Sequence, residues 1–525
     1  MGTTFITTDV GATFDISGTN DNLFITSTGA ILSETNGVYV DSSASSDTVT
    51  VAGTIYGNDM GIVEQAGAYD MNYAISGTVD GVSGPGMDLY GLGDSITITS
   101  TGVVSGYDGG IITDSGDKAI SNAGMIGVTA GGQLGAYALQ VNGVSYVITN
   151  SGTIMGIVAG NLSVTTEDVE ITNTGTITGG VSLSKSSQDS LDNSGVITGQ
   201  TTLGEGDTFN NDGRLHGELI CGSGDTINSS GFLTGGTYLY AGDTLTNTGA
   251  LTGGVGVQEG SASIENGGQI SGGLYFIGGS TFENAGTVIG GISDAYASAD
   301  TIDSSGVIAG GIAVADLTLT NSGTITGGVT MAGSTASSVT NSGKLVGNVT
   351  FDANYSILRN DGNMHGNVAM AEFNIFYQEG TIHGGITLGY SSSLENSGSI
   401  YGTVALGTNV TLDNSGTING EIDLSAGDTV DIHNAGTGKF IYATVNNTFM
   451  FSGSFGHNTI NDFAASGSTH DVIDFANDTF TSYTELQSHM AQVGKNVVIT
   501  LDATDTIILK GESLAALVSH DFIFS

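Results

Sequence analysis

Apolar residues fall at fixed offsets from a recurring polar phrase. The phrase is Asn-Ser-Gly-Thr-Ile-Thr-Gly-Gly-Val at 321–329, and its relatives run from Asn173 to Asn434 at intervals of 17 to 20 residues, most often 18. Two residues before the Asn stand Ile171, Leu191, Phe209, Ile227 and Leu245. Four after it stand Ile177, Ile197, Leu215, Leu233 and Leu251. Eight and ten after it come pairs such as Val181 and Leu183, or Val329 and Met331. Alternation within three short segments predicts three strands per turn, each with one apolar face inward. One such turn cannot bury its own face, but a stack of turns can. The pattern predicts an all-β chain, a right-handed parallel β-solenoid with turns of about 18 residues.

Two residues after each Asn comes Gly, as at Gly175, Gly195, Gly213, Gly231 and Gly436. The expectation here is a left-handed corner with φ > 0, which Gly adopts without steric cost. A second Gly four residues later, often doubled as at Gly253-Gly254, marks a second corner. The Asn shares the parity of the inward residues, so it is expected to form a structural side-chain ladder between turns.

Three regions follow. Residues 1–150 keep the strand grammar with longer loops, their corner glycines (Gly29, Gly53, Gly77, Gly102, Gly124, Gly152) lying 22 to 28 residues apart. Residues 60–95, with Pro85 and several Gly, are expected to be the most irregular loop. Residues 151–440 are the regular solenoid, and 441–525 have a different texture.

Composition supports this reading. Gly is 86 of 525 residues, well above the usual share of about 7%. Apolar residues still make up 38%, which excludes a disordered tract. The net charge of −44 repels nucleic acid and anionic membrane surfaces, and it attracts divalent cations, of which Ca²⁺ suits oxygen-rich sites best. The lone Cys221 falls at an inward position and reads as a small core residue. There is no apolar run of about 20 residues, so no membrane span is expected. No N-terminal signal peptide is visible.

Candidate chemistry is sparse. Four consecutive turns place Asp189, Asp207, Asp225 and Asp243 four residues before the phrase, the last three in Gly-Asp-Thr. Taken as part of the outer face, such stacked carboxylates repel unless a cation bridges them, which suggests a Ca²⁺ stripe. The alternative is a set of turn aspartates, each capping its own turn. His216, His365 and His383 share one offset and read as surface histidines. There is no zinc-binding His-Glu-x-x-His and no Gly-x-Ser-x-Gly elbow. Acids are spread along stripes and bases are nearly absent, so no enzyme activity is expected.

The C-terminal segment carries Phe455-Gly-His-Asn-Thr-Ile-Asn-Asp-Phe463, His470-Asp-Val-Ile-Asp-Phe475, Val497-Val-Ile-Thr-Leu501 and Asp505-Thr-Ile-Ile-Leu509. In order and wording these motifs resemble the C-terminal module of RTX proteins exported by type I secretion, as in serralysin-like proteases and some bacterial S-layer proteins. The resemblance implies a small β-rich module, an uncleaved C-terminal export signal and Ca²⁺ ligands at Asp462, Asp471 and Asp474. Asn458 stands where that family commonly has Asp, and the Gly-Gly-x-Gly-x-Asp arrays of the family are absent. The repeat phrase itself resembles autotransporter passenger solenoids.

The expectation for function is a secreted bacterial structural protein, an S-layer, filament or biofilm-matrix subunit that self-assembles at the cell surface with Ca²⁺. Its partners would be copies of itself, cell-surface polysaccharide and the type I secretion machinery. The alternative is an adhesin binding glycans through its N-terminal loops. A polysaccharide-active enzyme is the third reading.

Overall fold

The computed structural model describes residues 2–129, 131–132, 136–160, 168–294, 296, 299–433, 437–476 and 479–525. The chain is a parallel β-solenoid of stacked coils, with turns about 19 residues apart. It divides into two units, residues 1–272 and 273–525.

In the first unit each turn contributes three short strands, such as Ser190–Asn193, Val196–Thr198 and Thr201–Thr202. Each pairs in register with its counterpart one turn on: Leu191 with Phe209, Ile197 with Leu215, Thr201 with Leu219. Alternate residues point inward, and Leu191, Ile197, Phe209, Leu215 and Leu219 are fully buried. The second unit repeats this, with Leu394 over Leu412, Ile382 over Ile400 and Leu388 over Leu406.

The inward Asn column is a hydrogen-bonded ladder. The Asn173 side-chain amide donates to Asn193 Oδ1 at 2.7 Å, and Asn193 donates to Asn211 at 2.8 Å. In the second unit Asn321 donates to Asn341 and Asn341 to Asn360, both at 2.7 Å. Each amide is desolvated yet paired, which is the condition for burying it at low cost. Asn434 and Gly436 lie outside the described residues.

The corner glycines differ from expectation. Gly175, Gly195, Gly213 and Gly231 do not have positive φ. They are Gly because the turns approach closely there: a Cβ on Gly213 would stand 2.2 Å from the carbonyl oxygen of Gly195. Left-handed glycines occur instead at the second corner, as at Gly180, Gly199 and Gly254.

Stacking also extends further at both ends. Thr3–Ile6 already pairs with Asn22–Ile25. Residues 60–95, expected to be an irregular loop, hold the stacked strands Ile62–Glu64, Asn72–Ile75, Thr78–Gly81 and Met87–Leu89. Pro85 sits in the short loop between the last two, where it removes no ladder hydrogen bond. Past residue 440, Thr429–Ile432 pairs with Thr448–Phe451, which pairs with Val472–Phe475. Phe449, Phe451, Ile473 and Phe475 keep the inward alternation there. The stack then gives way to antiparallel pairing of Met490–Val493, Asn496–Thr500 and Thr506–Lys510, beside the helix Tyr483–Gln487.

Candidate functional site

The four stacked aspartates are not on the outer face. Asp189, Asp207, Asp225 and Asp243 are at most 2% exposed. Each sits one residue before the first strand of its turn, and its Oδ1 accepts the backbone N–H from the same rung of the preceding turn. Val169 donates to Asp189, Asp189 to Asp207, Asp207 to Asp225 and Asp225 to Asp243, at 2.8 to 2.9 Å. In the last three the second oxygen closes the aspartate's own loop, whereas Asp189 Oδ2 is buried without a hydrogen bond. Asp207 accepts from Gly204 N–H, Asp225 from Gly222 and Asp243 from Tyr240, each at 2.6 Å. The stripe therefore joins turn to turn, as a turn-capping aspartate would.

The same rung is used in the second unit by other acceptors. Ser280 N–H donates to Asp300, Ser337 N–H to the Ser356 hydroxyl, Ser356 N–H to Asn374 and Val410 N–H to Asp428. What the fold requires is a short side-chain acceptor, and a carboxylate is one choice. Burial then acts on the carboxylates. It pushes Asp207 up to about 7, against the lowering effect of the N–H donors, and Asp189 and Asp243 up to about 6. Asp300 rises to about 7 and Asp428 to about 6, again chiefly by burial.

Replacing Asp207 by Ala strands the N–H groups of Asp189 and Gly204. An unpaired buried donor costs ~1–3 kcal/mol, so Asp207→Ala is expected to lose ~2–6 kcal/mol of stability by these terms together. Asp207→Asn, which keeps one acceptor, should lose clearly less. Thermal melts of the two variants check this.

Cys221 packs against the stripe, with Sγ and carboxylate oxygens of Asp225 and Asp243 all within 4.8 Å of one another. Burial, reinforced by Asp243, Asp225 and Asp207, holds the thiol well above its usual range. Cys221 is thus a protonated core residue and not a nucleophile at neutral pH.

The three C-terminal acids do not converge. Asp462 is exposed, with a left-handed φ of 58°. Asp471 is buried and continues the rung, accepting from Asn447 N–H and Ala464 N–H at 2.8 Å each. Asp474 is buried with one oxygen lacking a hydrogen bond. Among the described residues, none of the three belongs to a cluster of three ligand side chains within 4.8 Å. Asn458 is buried, and its amide donates to Phe455 O at 2.6 Å. Asp505 braces the same loop, accepting N–H bonds from Phe455 and Gly456 at 2.6 Å.

The outward stripe just before the Asn, whose Thr and acids (Thr172, Asp192, Glu265, Glu283, Asp303, Glu395, Asp413) read from their offset as solvated surface, lines grooves in the structure. In the first unit the column Thr172, Asp192, Asn210, Asn228, Thr246 runs beside Ser194, Asp212, Ser230, Thr248, and together they line a groove of about 480 Å³. Its polar groups are mutually ordered: Asn210 donates to Asp192 at 2.7 Å and Asn228 to Asn210 at 2.9 Å. In the second unit the equivalent columns, with Tyr377, Glu395, Asp413, Ser397, Ser415 and His433, line a groove of about 130 Å³. There Asp413 lies 2.6 Å from His433 Nε2 and clusters with Asp431. His365 and His383 stack on each other at 4.8 Å, and His383 stacks on Tyr401 at 4.7 Å.

No family model matches the chain, and no curated protein matches its sequence. Among the described residues no helix is long and apolar enough to cross a membrane.

Proposed function

We propose that this protein is an extracellular structural subunit, exported by a bacterial cell and assembling at its surface as a layer, filament or matrix component with the help of Ca²⁺. The observation that supports it is how the recurrent residues are used. The inward aliphatics, the Asn ladder, the aspartate rung and the close-approach glycines all serve turn-to-turn stacking. The strand Thr3–Ile6 pairs in register with Asn22–Ile25, and its Phe5, in ring contact with Phe24, is 61% exposed. Exposed apolar surface of this kind is where another chain can bind. Export rests on the C-terminal motifs and their likeness to type I secreted proteins. Ca²⁺ would act on outward acids such as Glu395 and Asp413, which face each other across adjacent turns.

Negative-stain microscopy across a wide range of protein and Ca²⁺ concentrations tests the reading. Ordered assemblies are expected, and Phe5→Lys, which places a charge on this exposed apolar surface, should suppress them. Isolated particles under every condition would overturn assembly, and protein confined to the cytosol of its own cell would overturn export.

A second reading, an adhesin for glycans, is favoured by the outer groove. Its amides, hydroxyls and acids are the groups that hydrogen-bond sugar hydroxyls, and they lie at Thr172–Thr248. A glycan array with the whole protein separates the two readings, since binding abolished by Asn210→Ala would favour the adhesin.

A further inference from the structure

The chain has only eight Lys and Arg, and one of them, Lys118, is fully buried. It heads the strand Lys118–Asn122, on the same rung as Asp94, which precedes the neighbouring strand Ser95–Ile98. Lys118 Nζ contacts Asp94 Oδ2 directly and donates to Gly91 O at 2.6 Å. Glu64 Oε2 lies 3.8 Å from the same Nζ. All three side chains are at most 1% exposed.

The surroundings are built around these groups. Asp94 Oδ1 accepts the backbone N–H of Met71 at 3.0 Å. Glu64 Oε2 accepts the N–H of Gly91 at 3.1 Å. Gly91 has no side chain where the Glu64 carboxyl lies, and a Cβ there would stand 2.5 Å from Oε1. Glu64 Oε1 is buried without a hydrogen bond. Burial, then the adjacent Asp94, push Glu64 well above the usual carboxylate range against the pull of Lys118, which favours its protonated form. An amine, a carboxylate and a protonated carboxyl thus meet away from water. Keeping such charges buried is costly, and condensation removes both.

We propose that Lys118 and Asp94 form an intramolecular amide bond, with Glu64 as the proton shuttle. The Lys118 ammonium first passes a proton to Asp94 Oδ2, leaving a neutral amine and a neutral acid. Nζ attacks Asp94 Cγ, the C–N bond forms, and the carbonyl electron pair moves to Oδ1, where the Met71 N–H stabilises it. Glu64 gives its proton to Oδ2 and takes one back from nitrogen. The Cγ–Oδ2 bond breaks, and Oδ2 leaves as water. No oxidant, reductant or activated donor is needed. The bond would staple two adjacent turns of the first unit, where the loops are longest.

The test uses the intact purified protein. Its mass should be lower than that of the sequence by one water. Lys118 is the first basic residue of the chain, so trypsin on the denatured protein should fail to cut there and should release residues 1–185 as one piece. Tandem mass spectrometry should place the crosslink on Asp94. Glu64→Gln should keep the full mass and restore cleavage after Lys118. Full mass with cleavage at Lys118 in the parent protein would overturn the proposal, as would a crosslink to Glu64. A succinimide elsewhere gives the same mass change but leaves Lys118 cleavable, and that outcome also counts against it. If Glu64→Gln does not fold, the parent protein's mass and digest decide alone.

Discussion

Gly213→Ala is expected to unfold this protein at far lower temperature than Gly224→Ala, although only Gly224 has a left-handed backbone. Gly224 has φ +78°, and a Cβ there meets nothing within 4 Å. Its cost is the ordinary penalty of a left-handed L-residue, ~1–2 kcal/mol. Gly213 has no such φ, but its Cβ would stand 2.2 Å from Gly195 O and 2.6 Å from Ser194 C. The backbones cannot part to relieve this, because Gly213 N–H donates to Asn193 O and Arg214 N–H to Gly195 O, both at 2.9 Å. Moving one turn by an ångström breaks bonds on both sides of the corner. A loss of ~3–5 kcal/mol is expected, at the upper end for overpacking. Paired thermal melts decide it, and equal losses in the two variants would refute the close-approach account.

This contrast also marks what a one-dimensional pattern can carry. Spacing established that a Cβ is excluded two residues after each Asn. It could not separate the two causes of exclusion, a left-handed φ and a neighbouring backbone, since both select Gly. The parity rule, by contrast, held nearly everywhere: Leu191, Asn193 and Ile197 face inward as their offsets predict. Asp189 obeys the same parity, being four residues before Asn193. Its inward position was legible, and the Gly-Asp-Thr wording of the three turns that follow, which suggests surface cation sites, obscured it.

Other features were hidden by loop length. Lys118 and Asp94 share a rung, but 24 residues separate them in a region without a constant period. Glu64 reaches the pair from the third strand of its turn, a distance no offset rule covers. The outer groove has a different difficulty. Thr172, Asp192 and Asn210 are ordinary surface residues individually, and they become a groove only because a second column, Ser194 to Thr248, stands beside them. Past residue 440 the strands continue while their spacing changes, so periodicity fails before stacking does.

The protein should be more stable at pH 5 than at pH 8, the reverse of ordinary acid denaturation. The sign follows from the aspartate rung. An Asp in the unfolded chain titrates near 4, whereas burial places Asp207 and Asp300 near 7 and Asp189, Asp243 and Asp428 near 6. Between those limits the folded chain binds more protons than the unfolded one, so stability falls as pH rises through the window. A carboxyl titrating one pH unit higher in the folded state contributes ~1.4 kcal/mol on full protonation. Several sites together make an effect of several kcal/mol, visible as a melting midpoint that climbs steadily from pH 8 to pH 5. Relief of general repulsion in a chain of charge −44 acts in the same direction. Replacing Asp189, Asp207, Asp225 and Asp243 together by Asn separates the two, because Asn374 and Asn447 already serve on the same rung. The variant should lose a large part of the pH slope while remaining folded at pH 8, and an unchanged slope would assign the whole effect to surface charge. Millimolar Ca²⁺ at pH 8 completes the comparison. If Ca²⁺ takes the place of the protons on this stripe, it should raise the midpoint of the parent protein and leave the fourfold variant unmoved. An equal rise in both would place the ion on the outer acids instead.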